Sequence, residues 1–381
     1  GEQRTLPKAD RDAYTASGAV HILSVSGIHV SIIYVSVSIL LRMFLPRRRR
    51  IAVTLVTVVL FALAAGARAP SLRAAAMFAL YMAAEYFDRE PDAPTAIGVA
   101  AIVFLALRPP VLFEQGFLLS FASVASMLIF TPHIEGMLWG ALPQWLRSGI
   151  GASLGVQLLP FPIAMNFFHV APLLGVLVNM IVVPLTGIAL WLAFLTTVAG
   201  ACYAPAGHLF GASLALCCDA IAQWTRLIAA VPMSHRIVVS PTPWGALLFW
   251  SGTAALFFAM TQAAYRRRLL AASAVLFAAA WVFWRSFSPS AEVQFLDVGR
   301  GDSAFLRTPG GTTVLIDGGN LSDKTDMGER VVVPFLLGHG VSRLDCVAVS
   351  HADSDHLGGL FTVVETLGVG EVLLGPSDGK A

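Results

Sequence analysis

Long apolar segments separated by short polar connections fill the first three quarters of the chain. A helix needs roughly 20 apolar residues to cross the hydrocarbon core of a bilayer, and most of these segments approach or exceed that length. The pattern predicts about ten membrane-spanning helices. They are expected at residues 19–41, 51–66, 71–87, 93–107, 112–130, 149–168, 173–204, 207–231, 244–264 and 269–286. Residues 19–288 are therefore predicted to form a polytopic α-helical membrane domain.

Two of these segments contain prolines and glycines that favour broken helices, within "LLPFPIAMNFF" and "VNMIVVPLTG". Non-helical backbone at membrane depth is tolerated only where protein or water satisfies its polar groups. We expect both segments to line a path, with Asn166 and Asn179 as candidate path residues. The alternative is that these two amides bond backbone groups that the prolines leave free.

The periodicity changes after the last apolar segment. The stretches "EVQFLDV", "SAFLRT" and "TTVLID" alternate like strands, with turns at "GRGD" and "PGG" between them. A helix, a strand, a helix and a strand follow, so residues 291–381 are predicted to form an α/β domain. Residues 1–18 are expected to be the remnant of an N-terminal extracytoplasmic domain, and both ends are expected to continue in a longer protein.

Composition and charge support this division and give it an orientation. The chain is 56% hydrophobic and only 13% charged, whereas soluble domains are about 25% charged. Short loops rich in Lys and Arg stay in the cytoplasm, so the arginine runs at 47–50 and 266–268 are predicted to be cytoplasmic. The α/β domain, with 6 Lys+Arg against 13 Asp+Glu, then lies outside. An even number of crossings must separate the two runs.

Polar residues recur along the first predicted span. Ser24 and Ser31 begin a seven-residue repeat that continues to Ser38, and His21 and His29 fall on the adjoining helical face. One explanation is that small and hydroxylated residues let membrane helices pack closely. The other is a water-filled passage, because ionisable residues at membrane depth tend to face cavities or partners.

A second polar stripe lies in the segment at 207–231. Asp219 and Arg226 are spaced to share one face of a helix there. The stripe is either part of an internal ion pair or a wall that faces water. Both residues are therefore candidates for a transport path.

The stretch "SHADSDHLGGL", which begins at Ser350, follows the predicted buried strand "LDCVAVS". Four side chains leave the strand end on one short loop, and imidazole together with carboxylate suits zinc, manganese or iron. The predicted metal ligands are His351, Asp353, Asp355 and His356. A bound metal would lower the pKa of its water and supply a hydroxide for hydrolysis. A solvated polar loop is the alternative.

The spacing His-x-Asp-x-Asp-His is similar to the signature of the metallo-β-lactamase superfamily, which usually has His at the position of Asp353. The resemblance implies two metal ions, zinc or manganese, and a role for Asp355 in positioning the nucleophilic water. It also places three aspartates of the opening strands near the metal site: Asp297, Asp302 and Asp317. The superfamily's downstream ligands would fall beyond Ala381, so the chain alone is not expected to complete the site.

Four blocks of the membrane part resemble, in order, the ComEC family of competence membrane proteins: "GAVHILSVSGIHVSII", "PSLRAAAMFALY", "RPPVLFEQGFLLSFASVASMLIF" and "QLLPFPIAMNFFHVAPLLGVLVNMIVVPLTG". The resemblance implies a multi-pass protein of the bacterial inner membrane that passes single-stranded DNA during transformation. Its extracytoplasmic metallo-β-lactamase-like domain would be a metal-dependent nuclease that degrades the other strand. The implied partners are DNA, membrane lipid, an extracytoplasmic DNA receptor and a cytoplasmic ATP-driven translocase or helicase.

Other functions and assemblies remain open from the sequence. The spans could anchor a metallo-hydrolase that acts on a lipid or an envelope metabolite, or the chain could be a solute transporter with a vestigial metal loop. Whether the domain is an enzyme at all depends on ligands outside the chain, and a homo-oligomer is also allowed.

Overall fold

The computed structural model describes residues 6–138, 140–284, 291–322 and 325–375. The chain divides into two compact units, residues 1–163 with 170–236 and residues 164–169 with 237–381. The predicted boundary between residues 288 and 291 falls mainly among residues outside the described ranges.

Helices account for most of the first 284 residues. They are α1 Lys8–Ala16, α2 Gly27–Arg42, α3 Arg47–Ala64, α4 Ala69–Tyr86, α5 Ala93–Leu107, α6 Gln115–Met137, α7 Gln144–Gly155, α8 Phe161–Phe168, α9 Gly175–Cys202, α10 Ala204–Ala229, α11 Pro243–Thr261 and α12 Arg266–Trp284. Two short strands, β1 Val170–Pro172 and β2 His235–Ile237, interrupt them. Every predicted span thus corresponds to helical structure.

Among the described residues, five helices are long and apolar enough to cross a membrane. They are Gln115–Met137, Gly175–Cys202, Ala204–Ala229, Pro243–Thr261 and Ala263–Trp284. The helices Gly27–Arg42 and Ala93–Leu107 are apolar but shorter. The prediction of a polytopic helical membrane region is therefore confirmed in this coarser form, while the count of about ten spans is not.

The first predicted span is not one helix. A 3₁₀ turn covers Val20–Ile22, and α2 begins only at Gly27. Ser26 and His29 form a reciprocal cap, in which the Ser26 backbone N–H donates to His29 Nδ1 at 3.2 Å. Because this cap satisfies orphan donors at a helix start, it ends the preceding turn, and the predicted face shared with Ser24 is wrong.

The two proline-containing segments behave differently. The first is broken as predicted, because α7 ends at Gly155 and α8 starts at Phe161. The second, expected to break near Pro184, is the continuous helix α9. Its buried Val178 and Val182 belong to a cluster with Ile221 of α10. Packing along the neighbouring helix offsets the loss of one backbone hydrogen bond at the proline.

A second apolar cluster lies in the same unit between α2, α3 and α4. Its buried members are Val30, Val58, Ala62, Ala74 and Ala75. The alanines let the helix backbones approach closely, as small residues do in membrane proteins. This cluster fixes α2 against the α3 and α4 pair.

The second unit contains α11, α12 and a five-stranded sheet in the order β3-β4-β5-β8-β9. The strands and helices of the sheet region are β3 Glu292–Phe295, β4 Ala304–Arg307, β5 Thr313–Ile316, β6 Leu321–Ser322, β7 Thr325–Asp326, α13 Val333–Gly338, β8 Arg343–Val349, α14 Ser354–Thr366 and β9 Gly368–Leu374. A π-helical turn, Gly328–Val332, precedes α13. The predicted meander followed by β-α alternation is confirmed.

The direction of the strands determines where the polar loop lies. Strands β3, β4 and β5 are antiparallel, whereas β5, β8 and β9 run parallel. Leu315 of β5 pairs with Val347 of β8, and both side chains are buried together with Phe305. The carboxyl ends of β5 and β8 therefore meet at one edge, which is where α/β sheets usually place ligands.

Candidate functional site

Asp317 and Ser350 occupy the carboxyl ends of two neighbouring parallel strands. Asp317 follows β5, and its backbone N–H donates to the Ala348 carbonyl at 2.9 Å. Ser350 follows β8, and its own N–H donates to Asp317 Oδ1 at 2.8 Å. The parallel register thus joins two loops that are 33 residues apart in sequence.

The Asp317 carboxylate is buried and accepts three hydrogen bonds. Besides the Ser350 N–H, its donors are the Ser350 hydroxyl at 2.5 Å and His356 Nδ1 at 2.9 Å, both to Oδ2. Only 3% of the residue is exposed, and a buried charge needs such donors because it has lost its hydration. Its φ of 55° lies in the left-handed region, which is strained for a residue other than glycine. The surrounding contacts hold it there.

These contacts shift the pKa of both members of the Asp317–His356 pair. Burial by itself raises the pKa of Asp317, but the hydrogen bonds from Ser350 and His356 outweigh it and hold the pKa below the usual value of the carboxyl. The hydrogen bond to Asp317 raises the pKa of His356 against a smaller effect of burial, and the charges of Asp317, Asp355 and Asp302 raise it further. The pair favours carboxylate with imidazolium in the absence of a metal.

The rest of the loop is open to solvent and only partly gathered. The His351 and His356 rings lie 3.9 Å apart between centroids, and His351 Nε2 is 3.4 Å from Asp353 Oδ2. Asp355 forms an ion pair instead, with its Oδ2 3.6 Å from Nε of the exposed Arg300. The structure therefore brings three of the four predicted ligands near one another and pairs the fourth with a cation.

The flanking aspartates have distinct positions. Asp302 is close enough to affect His356 electrostatically, and its carbonyl accepts the Gly319 N–H at 3.1 Å. Asp297 accepts the Gly299 N–H at 3.2 Å within its own turn. Of the three predicted neighbours, Asp317 is thus bonded to a predicted ligand, Asp302 lies near it, and Asp297 stabilises the turn.

The donor chemistry fits a divalent metal, although the set is incomplete. His356 uses Nδ1 on a carboxylate, an arrangement that leaves Nε2 for a metal and fixes the ring. Within the described ranges, however, no three His, Cys, Asp or Glu side chains are gathered closely enough to hold an ion.

Ser350 is the residue that sequence reasoning missed. Its hydroxyl donates to Asp317 and lies 2.9 Å from His351 Nδ1, so it connects the two strand ends to the loop. The signal that could have found it is a hydroxyl residue at the end of a buried strand, next to a predicted ligand.

Four candidate path residues lie at the start of the membrane part. Three of them, His21, His29 and Ser31, contact backbone groups within four residues of themselves. His21 Nδ1 is 3.1 Å from the Gly18 carbonyl, and the Ser31 hydroxyl donates to the Gly27 carbonyl at 2.9 Å. His29 caps α2, as described above, and Ser24 is half-buried ahead of it. These contacts favour a role in packing and capping over a continuous polar face.

The two candidate residues of the stripe on α10 have different surroundings. Arg226 Nε donates to Asp10 Oδ1 of α1 at 2.5 Å, and Asp219 is exposed. The ion pair therefore joins α10 to the N-terminal helix instead of closing within the stripe, a contact 216 residues apart that periodicity cannot reveal.

The two candidate asparagines, Asn166 and Asn179, differ in their hydrogen bonding. Asn179 Oδ1 is buried and accepts no hydrogen bond in the part of the chain that the structure describes. Asn166 has its carbonyl 3.5 Å from the Ser240 hydroxyl. Of the pair, Asn179 keeps the unsatisfied polar atom that a path residue would have.

Comparison with known proteins gives a family for each part of the chain. Residues 1–263 match the model of the competence protein family, and residues 296–376 match that of the metallo-β-lactamase superfamily. No solved structure matches the chain.

Three curated relatives cover nearly all of the chain. It is 29% identical to ComE operon protein 3 of Bacillus subtilis over 91% of its length and 46% of that protein. It is also 29% identical to competence protein ComA of Neisseria gonorrhoeae, over 95% of the chain and 51% of ComA. Recombination protein 2 of Haemophilus influenzae is 25% identical over 96% of the chain and 51% of that protein. The chain thus spans about half the length of these relatives.

The competence model covers more than half of the chain, contains all four blocks that resemble ComEC, and is followed by the superfamily domain whose polar loop was described above. The protein is therefore a member of the competence protein family, of the ComEC type, with a metallo-β-lactamase domain after its membrane helices.

Proposed function

We propose that the chain is the membrane-passage part of a DNA-uptake protein for natural transformation, which moves single-stranded DNA across the inner membrane. The observation that carries the proposal is the competence family match over residues 1–263, supported by relatives named for competence and recombination. Helices α2 to α12 would provide about ten crossings. Neighbouring segments would complete the crossings that the shorter helices begin.

The orientation is part of the same proposal. The arginine runs at 47–50 and 266–268 would lie in the cytoplasm, and the superfamily domain would lie outside. Arg47 and Arg48 pair with Asp88, and Arg47 and Arg50 pair with Glu85. The run therefore joins the start of α3 to the end of α4 in addition to setting topology.

For the external domain we propose a metal-dependent phosphodiesterase, acting on the strand that is not transported. His351, Asp353 and His356 would hold a divalent metal, zinc or manganese, which when bound supplies an activated water. Asp317 and Ser350 orient His356 and His351, and Asp355 would position the water or a second ion once Arg300 releases it. A DNA receptor outside and an ATP-driven translocase inside are the proposed partners.

The passage function is tested in a naturally transformable cell that carries this protein as its DNA-uptake protein. Deleting the superfamily domain is expected to leave entry of labelled DNA, whereas disrupting α9 with Val182→Asp should abolish it. A surface change, Trp145→Gln, controls for expression because Trp145 is exposed. If DNA entry survives Val182→Asp in correctly inserted protein, the passage assignment is wrong.

The nuclease assignment is tested separately with the purified protein. With zinc or manganese it is expected to cleave DNA, and the double change His351→Ala with Asp355→Ala should reduce both metal content and cleavage. Unchanged metal content would contradict the ligand assignment. Cleavage of a lipid or an envelope metabolite instead of DNA would favour an anchored hydrolase.

A further inference from the structure

A basic cavity lies where α2 ends and α3 begins. It has a volume of about 370 Å³ and is lined by Ser38, Ile39, Arg42 and Arg50. Ser38 and Arg42 are four residues apart on α2, so they share one face of that helix. The residues that line this space thus include one with a hydroxyl and two with guanidinium groups, and the space is large enough for a phosphate group.

The charge around this cavity is not balanced by nearby acids. Arg50 shares the single carboxylate of Glu85 with Arg47, and both Nη2 of Arg50 and Nε of Arg47 are 3.4 Å from the same oxygen. Arg42 is exposed and has no acidic partner among the residues that the structure describes. Since arginine stays charged at any physiological pH, the cavity has an excess of positive charge that an anion can offset.

The surface beside the cavity is apolar. Ile39 is 65% exposed, Met43 77% and Phe44 70%, all at the same end of α2 as Arg42. A free phosphate would use only the arginines and the hydroxyl. A ligand with a phosphate head and hydrocarbon tails would also cover these apolar side chains, and each apolar Å² removed from water contributes about 25 cal/mol.

We propose that the cavity of Ser38, Arg42 and Arg50 binds the phosphate headgroup of an anionic phospholipid, whose acyl chains lie along Ile39, Met43 and Phe44. Basic pockets between membrane helices on the cytoplasmic side are a known way to bind such headgroups. The site goes beyond DNA passage, because the lipid would fix α2 relative to α3 whether or not a strand is present.

The test measures lipid retention by the full chain, purified in detergent and mixed with phosphatidylglycerol or phosphatidylcholine, with native mass spectrometry as the readout. The chain is expected to retain phosphatidylglycerol in preference to phosphatidylcholine. Arg42→Gln should lower phosphatidylglycerol retention about five-fold, and Arg42→Gln with Arg50→Gln about 25-fold, from the electrostatic contribution of each arginine.

Arg49→Gln is the matched control, because Arg49 is an exposed arginine of the same run that does not line the cavity. It should change retention less than two-fold. Equal losses for Arg42→Gln and Arg49→Gln would overturn the site, as would equal retention of the two lipids. If a short single-stranded oligonucleotide displaces the lipid, and still does so in Arg49→Gln, the cavity would be assigned to DNA phosphate and the lipid assignment would be overturned. Arg42 has no ion pair to lose among the described residues, so its single change keeps the test independent of folding.

Discussion

At the scale of single residues, Asp317 links the end of β5 to the polar loop. It lies at a strand end in a strained conformation, and three donors from Ser350 and His356 surround its carboxylate. A residue kept in the left-handed region against its preference is held by its surroundings. Here those surroundings include a predicted metal ligand.

The Asp317–His356 pair predicts how the stability of the second unit depends on pH in metal-free protein. The pKa of Asp317 is lowered on folding, so its contribution is full above the ordinary carboxyl pKa of about 3.9 and is lost as the pH falls through the lowered value. The pKa of His356 is raised, so its contribution is full below about 6.5 and is lost as the pH rises through the raised value. Stability from the pair should be greatest between about pH 4 and 6.5.

The quantity to measure is the free energy of unfolding as a function of pH. It is monitored by hydrogen exchange in β5 and β8 after the protein has been treated with a chelator. Asp317→Asn should reduce the free energy of unfolding by about 1–3 kcal/mol at pH 5.5 and flatten the profile, because an amide nitrogen replaces one of the buried carboxylate oxygens that accept from Ser350 and His356. Asp353→Asn is the control, since the Asp353 side chain is 75% exposed. An unchanged profile in Asp317→Asn would contradict the role given to the pair.

At the scale of elements, glycines allow helix α14 to pack closely against neighbouring segments. A Cβ on Gly359 would lie 2.0 Å from the Gly318 carbonyl oxygen and 2.7 Å from the Gly328 backbone nitrogen. Only a residue without a side chain allows the helix to approach both segments. This contact brings the start of α14, and with it His356, to the end of β5.

Gly359→Ala is therefore expected to destabilise the second unit, by about 1–3 kcal/mol as overpacking typically does. The matched change is Gly338→Ala in α13, where a Cβ meets nothing within 4 Å; alanine there should be neutral or stabilising by up to about 1 kcal/mol. Hydrogen exchange of α14 and β5 peptides measures both. Similar effects of the two changes would rule out close packing as the reason for Gly359.

At the scale of the whole molecule, the two arginine runs and the acidic domain predict opposite sides of the membrane. In a variant without its four native cysteines, Arg300→Cys should react with a membrane-impermeant maleimide in intact spheroplasts. Arg49→Cys should react only after the membrane is opened. Both positions are exposed, so differences in labelling report the side and not burial. Labelling of Arg49→Cys in sealed cells would reverse the proposed orientation.

Local sequence patterns predicted much of the fold and the position of the candidate site. Hydropathy located the helices from α2 to α12 but not α1, alternation located strands β3 to β5, and the spacing of His351 and His356 marked the loop, because each of these signals depends on neighbours in sequence. Helix boundaries such as the start of α2 at Gly27 were missed, since the Ser26 and His29 cap competes with hydropathy. Continuity of α9 through Pro184 was missed because packing against α10 decides it.

The sequence by itself determined that this protein has an apolar helical part and an α/β part with a loop of candidate metal ligands, because hydropathy and periodicity are read from residues that are close together in sequence. Only the tertiary structure decided which distant groups meet. The parallel register of β5 and β8 brings Asp317 to Ser350 and His356, and helix packing brings Asp10 to Arg226. The reason is physical: hydrogen bonds and ion pairs act over a few ångströms in space, and the distance along the chain does not fix that separation.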